Sequence, residues 1–577
     1  MKTPTAFARR NLLISVLLLF LCLLTYNNSL HNPFVMDDYA MIVQNRAIKD
    51  PSFLQIDPFV NSSAALDPGS QVYWRPIAHL LIMSAFSAFG REPFGYHVLN
   101  LLLFYMACIG LYELLNFIFG DWKLALLTSV LFCVHPINGV LVNYITASGY
   151  AVLVLAVILS IRCFLMAGQE TAPWKKYGMY GLSLLWFAIS LLCHETAFIG
   201  PLYLASVLFL IKGYSWRGMS AAMLPFLIVF MIYIAGREQF VHFQAGTLAN
   251  MARFEMSLAE YGAAFSRLVF FYLKNLIFLE DVVLIWAVPT ALGNLFFWNI
   301  ASMIFLVVCL LIIARCRKED PRSVGLAWFL IGLLPLSIAA FSRPNLGFII
   351  EPHWMLFSSI GFFLFIAASF RKFIQPAGIS KFRSPVIGAA MICLLIVAYV
   401  FTSRLYNRLW GNETAYCRYM IALSPNMRLP VWWLASAHLR GRDHEQARVL
   451  FRKTLTGTFQ DWEVYVNLGM IESALGRREA ALKNFHQAIA INPSAAEAYN
   501  NIGAEMIESN ELDKAQGYLW QAMRLDRYFI EPKKNLAVLF LRQRKTREAA
   551  ELLEQVLSIQ PNDPYSLKTL RELRGLN

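Results

Sequence analysis

Apolar residues in this chain come in blocks rather than in alternation. The first, "NLLISVLLLFLCLLTY" (11–26), follows the basic "MKTPTAFARR". Ten more lie at roughly 96–118, 123–141, 150–166, 177–193, 196–212, 219–236, 297–315, 323–341, 353–370 and 385–403. A helix needs ~20 apolar residues to cross a bilayer, so the pattern predicts about eleven spans. No small-x-small cleavage site follows the first block, which reads as an uncleaved first helix. The stretch 265–290, "FSRLVFFYLKNLIFLEDVVLIWAVPT", is expected to be interfacial or re-entrant, because a span there would invert every later loop.

After about residue 405 the pattern changes to polar and periodic. Ala447, Ala481, Ala515 and Ala549 stand 34 residues apart, as do Gly469 and Gly503, Phe451 and Phe485, and Ala488 and Ala522. This is the tetratricopeptide period, in which small residues let paired helices pack closely. Three units are clear and an earlier one, near 428–461, is degenerate. The expected fold class is all-α: a polytopic membrane helix bundle over 1–405, with a large first outer loop at 31–95, then an α-solenoid over 406–577. Such arrays offer a concave surface suited to a peptide or protein partner, and the bland alternative is a stalk or an oligomerisation element.

Composition agrees with a membrane protein. The chain has 577 residues, of which 58% are hydrophobic and 15% charged, against roughly 25% charged in soluble domains. The net charge of +13 would suggest nucleic acid in a soluble protein. Here the basic residues gather in "PWKKYG", "IKGYSWRG", "RCRKEDPR" and "RKFIQPAGISKFR", which read as cytoplasmic loops. Nucleic acid is therefore not expected as a partner. An odd number of spans puts the repeats on the other side of the membrane, the periplasm if the membrane is a bacterial inner one. Eight of nine cysteines, including Cys22, Cys108 and Cys133, lie in or beside apolar blocks. Their spacing suggests neither a disulfide framework nor a zinc site, so they read as small buried apolar residues.

The non-cytoplasmic segments hold the candidate chemistry, since ionisable groups at membrane depth are costly and tend to be functional. In "HNPFVMDDYAMIVQN", Asp37 and Asp38 could accept a proton from a hydroxyl or bind a cation, or one could cap a short helix starting near Tyr39. "QVYWRPIAHL" offers Tyr73 and Arg75, the latter either a phosphate clamp or a headgroup anchor. "GREPFGYHVLN" adds His97, "VHPINGVLVNY" His135, "LCHETAFIGP" His194 and Glu195, and "FIIEPHW" Glu351 and His353. A lone histidine is more often packed than functional; several such clusters on one side favour a site. No metal-ligand spacing, nucleotide loop or nucleophile elbow is present. A divalent cation is the one cofactor these carboxylates would accommodate, with no ligand set assigned.

The motifs "FVMDDYAMI", "YWRPIAHLL…REPFGYHVLN", "VHPINGVLV", "CHETAFIGPLYL" and "EPHWMLFSSIGF", in this order before the repeats, resemble the GT-C superfamily of membrane glycosyltransferases. More narrowly, the chain is similar to protein O-mannosyltransferase-like membrane proteins with C-terminal tetratricopeptide repeats. The resemblance implies a polyprenyl-phosphate-linked sugar donor and an inverting transfer of a hexose or pentose to an acceptor hydroxyl, protein Ser/Thr first among them. Asp37 or Asp38 would be the base, Arg75 a phosphate or structural contact, and His353 a residue near the donor. Glu195 occupies the family's acidic position, with His194 where a lysine is usual. The alternatives are transfer to a lipid or surface glycan, or a non-catalytic scaffold for the repeats.

Overall fold

The computed structural model describes residues 4–45, 48, 75–240, 258–279, 282–284, 286–288, 295–316, 319–335, 348–374, 385–425, 427–455, 461–526 and 528–575. Two compact units emerge. One comprises 1–43, 58–412 and 423–425; the other comprises 44–57, 413–422 and 426–577.

Among the described residues, the helices of ten or more residues in the first unit are α1 (Pro4–Tyr26), α2 (Pro76–Phe89), α3 (Pro93–Phe119), α4 (Trp122–Val134), α5 (Ser148–Ala167), α6 (Pro173–Cys193), α7 (Gly200–Leu210), α8 (Trp216–Phe240), α9 (Leu258–Phe278), α10 (Leu295–Arg315), α11 (Pro321–Gly332), α12 (Leu356–Ile374) and α13 (Pro385–Trp410). Proline opens α2, α3, α6 and α11, where its missing N–H breaks no helical bond. Gly120 ends α3 in the left-handed region at φ 67°, and Asp121 then caps α4 by accepting from the N–H groups of Lys123 and Leu124. Large apolar side chains such as Ile232, Met303 and Leu394 point outward from α8, α10 and α13, as expected where lipid is the solvent.

Among the described residues, eight helices are long and apolar enough to cross a membrane, or nine if the pair Trp122–Val134 and Pro136–Asn143, bent by 60°, is one span. The expectation of about eleven is corrected at one place: the block at 196–212 forms only a shorter apolar helix, Glu195–Leu210. In the block at 323–341, α11 ends at Gly332, and residues 336–341 lie outside the described residues. The bend in the block at 123–141 falls at Pro136, where a proline cannot donate the bond that would continue the helix. The expected all-α class needs one addition: β1 (Trp286–Val288) pairs antiparallel with β2 (Phe348–Ile350). The stretch 265–290 is not a continuous span, since α9 ends at Phe278 and β1 begins at Trp286. The expected outer loop at 31–95 contains the apolar helix α2.

Polar contacts gather at the two ends of the helices. At one end Arg10 lies over the Trp122 ring at 5.7 Å, Glu113 bonds Asn11 and Arg162, and Arg371 pairs with Asp121 at 2.9 Å. The other end carries Asn32, Asn143 and Asn407. The Asn143 amide donates to the Asn407 side chain at 2.7 Å, and Asn407 donates to the Thr25 carbonyl. Buried amides satisfied in this way cross-link α1, α13 and the turn at 140–143.

The second unit repeats a helical pair at a fixed interval after α14 (Glu413–Leu423). The pairs are α15 (Arg428–Arg440) with α16 (His444–Thr454), α17 (Trp462–Ala474) with α18 (Arg478–Ile491), α19 (Ala496–Glu508) with α20 (Leu512–Leu525), and α21 (Ile530–Arg542) with α22 (Thr546–Ile559); α23 (Pro564–Leu573) follows. The degenerate first repeat thus forms a full pair. The turn inside each pair uses a left-handed residue: Arg442, Gly476, Asn510 and Arg544, each 34 residues from the next. A Cβ at Gly469 would come within 2.3 Å of the Phe485 ring, which explains the small residue there. Glu472, almost fully buried, is neutralised by Arg452, Arg448 and Arg477.

The tightest backbone approach in the first unit joins α11 and α12. A Cβ on Gly361 would lie 2.2 Å from the Phe329 nitrogen, and one on Gly332 2.5 Å from the Ser358 nitrogen. Backbone cannot step aside as a side chain can. Gly361→Ala should therefore destabilise the unit by about 1–3 kcal/mol or more, read as a lower thermal midpoint in detergent. Gly178→Ala, with no atom within 4 Å of the added Cβ, should leave the midpoint unchanged or raise it.

Candidate active site

Chain geometry after α1 sets the first polar group. Met36 takes a left-handed conformation at φ 50°, which turns the chain so that the two aspartates face different ways. Asp38 is fully buried. Its Oδ2 accepts from the Val35 N–H at 3.2 Å and its Oδ1 from the Thr146 N–H at 3.1 Å. Burial pushes its carboxyl up to about 8, against the pull of those two amides, with the neighbouring Asp37 charge adding to the rise. Asp37 is half-buried and accepts from the Tyr144 hydroxyl at 2.6 Å. Burial, then the two aspartates, keep the Tyr144 phenol protonated and hence a donor.

A second group forms around Tyr150, near the start of α5. Its hydroxyl lies 2.9 Å from His194 Nε2, and its ring packs on His194 and His353 with centroids 4.7 and 4.2 Å apart. The Thr196 N–H donates to His194 Nδ1. That nitrogen is therefore the acceptor, and Nε2 carries the proton toward Tyr150. Burial and then Arg75 hold His194 well below the ordinary histidine range, so it stays neutral. Arg75 grips Glu195 with two bonds, Nε to Oε2 at 3.1 Å and Nη2 to Oε1 at 2.9 Å. Burial would raise the Glu195 carboxyl, but the charge and hydrogen bonds of Arg75 more than offset it and hold it below its usual range. His353 Nε2 pairs with Glu351 at 3.0 Å. Glu351 directly follows β2, so the ribbon sets its position.

Of the residues singled out from sequence, the structure therefore joins Arg75, His194 and Glu195 in one network, and Tyr150 links it to Glu351 and His353. Asp37 and Asp38 sit at the 144–146 segment, which leads through the 3-10 turn Ile145–Ala147 into α5 and Tyr150. His97 and His135 belong to neither group. His97 lies between the carbonyls of Val142 and Asn32, at 3.0 and 3.1 Å. His135 accepts from the Ile137 N–H and faces the Leu276 carbonyl. Both are packed, buried histidines that tie segments together. Tyr73 lies outside the described residues. Sequence reasoning missed Tyr144 and Tyr150, the hydroxyls that touch Asp37 and His194. The only available signal was two tyrosines six apart in "NYITASGY", and nothing local separates those from other interfacial tyrosines.

No cluster of three or more carboxylate or histidine ligands forms among the described residues; the one grouping of potential metal ligands is Cys22, Cys108 and Cys133.

Comparison with known proteins bears on both units. A family model described as "TPR repeat" matches residues 469–504. Human "Protein O-mannosyl-transferase TMTC3" is 23% identical over 94% of this chain and 67% of its own length. The Drosophila melanogaster "Protein O-mannosyl-transferase Tmtc3" is 22% identical over 84% of this chain and 60% of its own. The mouse relative matches 64% of its length, so the chain spans about two thirds or less of the relatives it matches. Among solved structures, YrrB, "a TPR protein with an unusual peptide-binding site", is 18% identical with a TM-score of 0.24, covering 35% of this chain and 96% of that one. The crystal structure of MamA is 20% identical with a TM-score of 0.22, covering 25% and 85%. Over most of its length this chain is a homologue of the protein O-mannosyl-transferases of the GT-C superfamily, a multi-pass membrane protein with tetratricopeptide repeats at its C-terminal end.

Proposed function

We propose that this protein is a membrane glycosyltransferase that moves a sugar from a polyprenyl-phosphate donor to a Ser or Thr hydroxyl of a protein, with Asp37 as general base. The similarity to protein O-mannosyl-transferases along 94% of the chain carries the reaction class. Mannose is the sugar those relatives' names supply. The acceptor hydroxyl gives its proton to Asp37 while its oxygen attacks the anomeric carbon. The bond to the lipid phosphate breaks on the opposite face, inverting the configuration. Tyr144 orients the Asp37 carboxylate. Asp38 braces the loop rather than reacting, since both its oxygens accept backbone amides inside a closed pocket. The Tyr150 hydroxyl, which accepts from His194 Nε2, keeps its own proton to donate to the departing phosphate, with the His194 and His353 rings packed beside it.

The helix ends that carry these residues lie opposite those bearing Arg10, Arg162 and Arg371. By the positive-inside rule the reaction then faces away from the cytoplasm, into the periplasm in a bacterial inner membrane. The repeats are the element suited to recruiting the protein acceptor.

Asp37→Asn should keep the fold and lower transfer of labelled sugar by on the order of 10²–10⁴-fold. Asp38→Asn offers one acceptor where two amides need one each. It should cost about 1–3 kcal/mol of stability, read by thermal unfolding in detergent. Full transfer by Asp37→Asn sinks the assignment of the base.

Asp38 also sets a pH dependence. Burial pushes its carboxyl up to about 8 in the folded chain, against an ordinary aspartate value of about 3.9. Between those values the folded chain binds more protons than the unfolded one, so stability falls as pH rises and the loss is complete above the upper value. Thermal midpoints measured across that window should decline in the parent chain, and the slope should flatten in Asp38→Asn.

Removing residues after 412 leaves nearly all of the first compact unit. That truncation should abolish protein modification while a short peptide acceptor at high concentration still reacts. Undiminished modification of whole proteins refutes recruitment by the repeats. Loss of protein transfer with full transfer to a glycan or lipid acceptor assigns the enzyme to that acceptor class.

A further inference from the structure

A third cluster lies within the helical core of the first unit, apart from both polar groups. Cys22 of α1, Cys108 of α3 and Cys133 of α4 are fully buried, and their sulfurs all lie within 4.8 Å of one another. The Cys22 and Cys133 sulfurs are 3.3 Å apart. These residues are 86 and 25 positions apart in the chain, so the arrangement is a product of packing between three helices.

An aromatic layer covers the sulfurs. Tyr26 and Phe104 stand four residues from Cys22 and Cys108 on the same helices, one turn along, and Phe132 precedes Cys133. All three rings are buried, with Tyr26 5.7 Å from Phe104 and Phe104 5.7 Å from Phe132. The Tyr26 hydroxyl is turned away to the Cys133 carbonyl at 3.1 Å.

We propose that Cys22, Cys108 and Cys133 form a three-thiolate site for one soft divalent d10 cation of the zinc class. Soft thiolates select such ions over magnesium or calcium. A metal–sulfur bond of ~2.3 Å puts the sulfurs of a trigonal site about 4 Å apart. The observed triangle reaches that by side-chain shifts of under about 1 Å. Charge favours the divalent ion: each thiol loses its proton on binding, and three thiolates with a dication leave a single net negative charge, where a monovalent ion would leave two. The occupied site would pin α1, which leads to Asp37 and Asp38, against α3 and α4.

The test uses the full chain, purified in detergent, reduced, freed of metal with a chelator and titrated with Cd(II). Binding of one Cd(II) per chain, with a thiolate-to-cadmium charge-transfer band and a cadmium NMR shift typical of three sulfur ligands, is the expected result. Cys22→Ser, Cys108→Ser and Cys133→Ser should each abolish it, while Cys163→Ser and Cys193→Ser should retain it. If the core variants fail to fold, the band and the NMR signal of the parent chain decide alone. Absence of both in the parent chain overturns the proposal. So does an intact mass two hydrogens lighter before reduction that maps to a Cys22–Cys133 disulfide, with no cadmium bound after reduction. The metal-binding readout is independent of sugar transfer, so its failure leaves the proposed reaction standing, and the converse holds.

Discussion

A carboxyl group sealed from water must have hydrogen-bond partners, and Asp38 finds them in two backbone amides from different segments. The Val35 amide belongs to the chain leaving α1, and the Thr146 amide to the turn entering α5. That pair of bonds welds the first outer loop to the segment that also carries Tyr144 and Tyr150. Within a few residues of the weld, Tyr144 orients Asp37 and Tyr150 packs against His194 and His353. The Asp37–Tyr144 pair and the start of α5, which carries Tyr150, therefore take their placement from one buried contact. An exposed ion pair could not serve this purpose, because solvent would screen it and side-chain entropy would loosen it.

The two units obey different solvents. In the first, apolar side chains face outward and polar ones are forced to the helix ends, where Asn32, Asn143 and Asn407 satisfy one another and the backbone. In the second, the apolar residues line the seam between paired helices, with Ala481, Phe485 and Ala488 buried against Val466 and Ile502. Charged residues cover the remaining faces. Glu472 shows how far a charge can be buried in water-facing helices when several arginines surround it.

Much of this was legible in the sequence because the signals are periodic. Apolar blocks mark the spans, and the 34-residue ladder marks every helical pair, including the weak first one. The failures have physical causes. Block length alone overstated 196–212, where the helical stretch that begins at Glu195 ends at Leu210. The β1–β2 ribbon has three residues per strand, too few for any alternation to register. Asp37 and Asp38 were found by their position beyond α1, but only folding separates a half-buried carboxylate from a fully buried one. The three cysteines looked unrelated because no spacing rule joins residues brought together by three different helices.

The role of Arg75 changes most when its partner is known. From sequence it could be a phosphate clamp, a role that needs an uncommitted guanidinium edge. Its Nε–Nη2 edge already grips both oxygens of Glu195. Arg237 acts on His194 from another side, and Glu351 pairs with His353. Positive and negative groups around Tyr150 thus nearly balance. A lipid phosphate entering such a place meets the Tyr150 hydroxyl more than net charge. That suits the proposed chemistry, because the phosphate has to be held firmly enough to orient the sugar and then released as a more highly charged product. A site of excess positive charge would bind that product more tightly than the donor and slow each turnover at the final step.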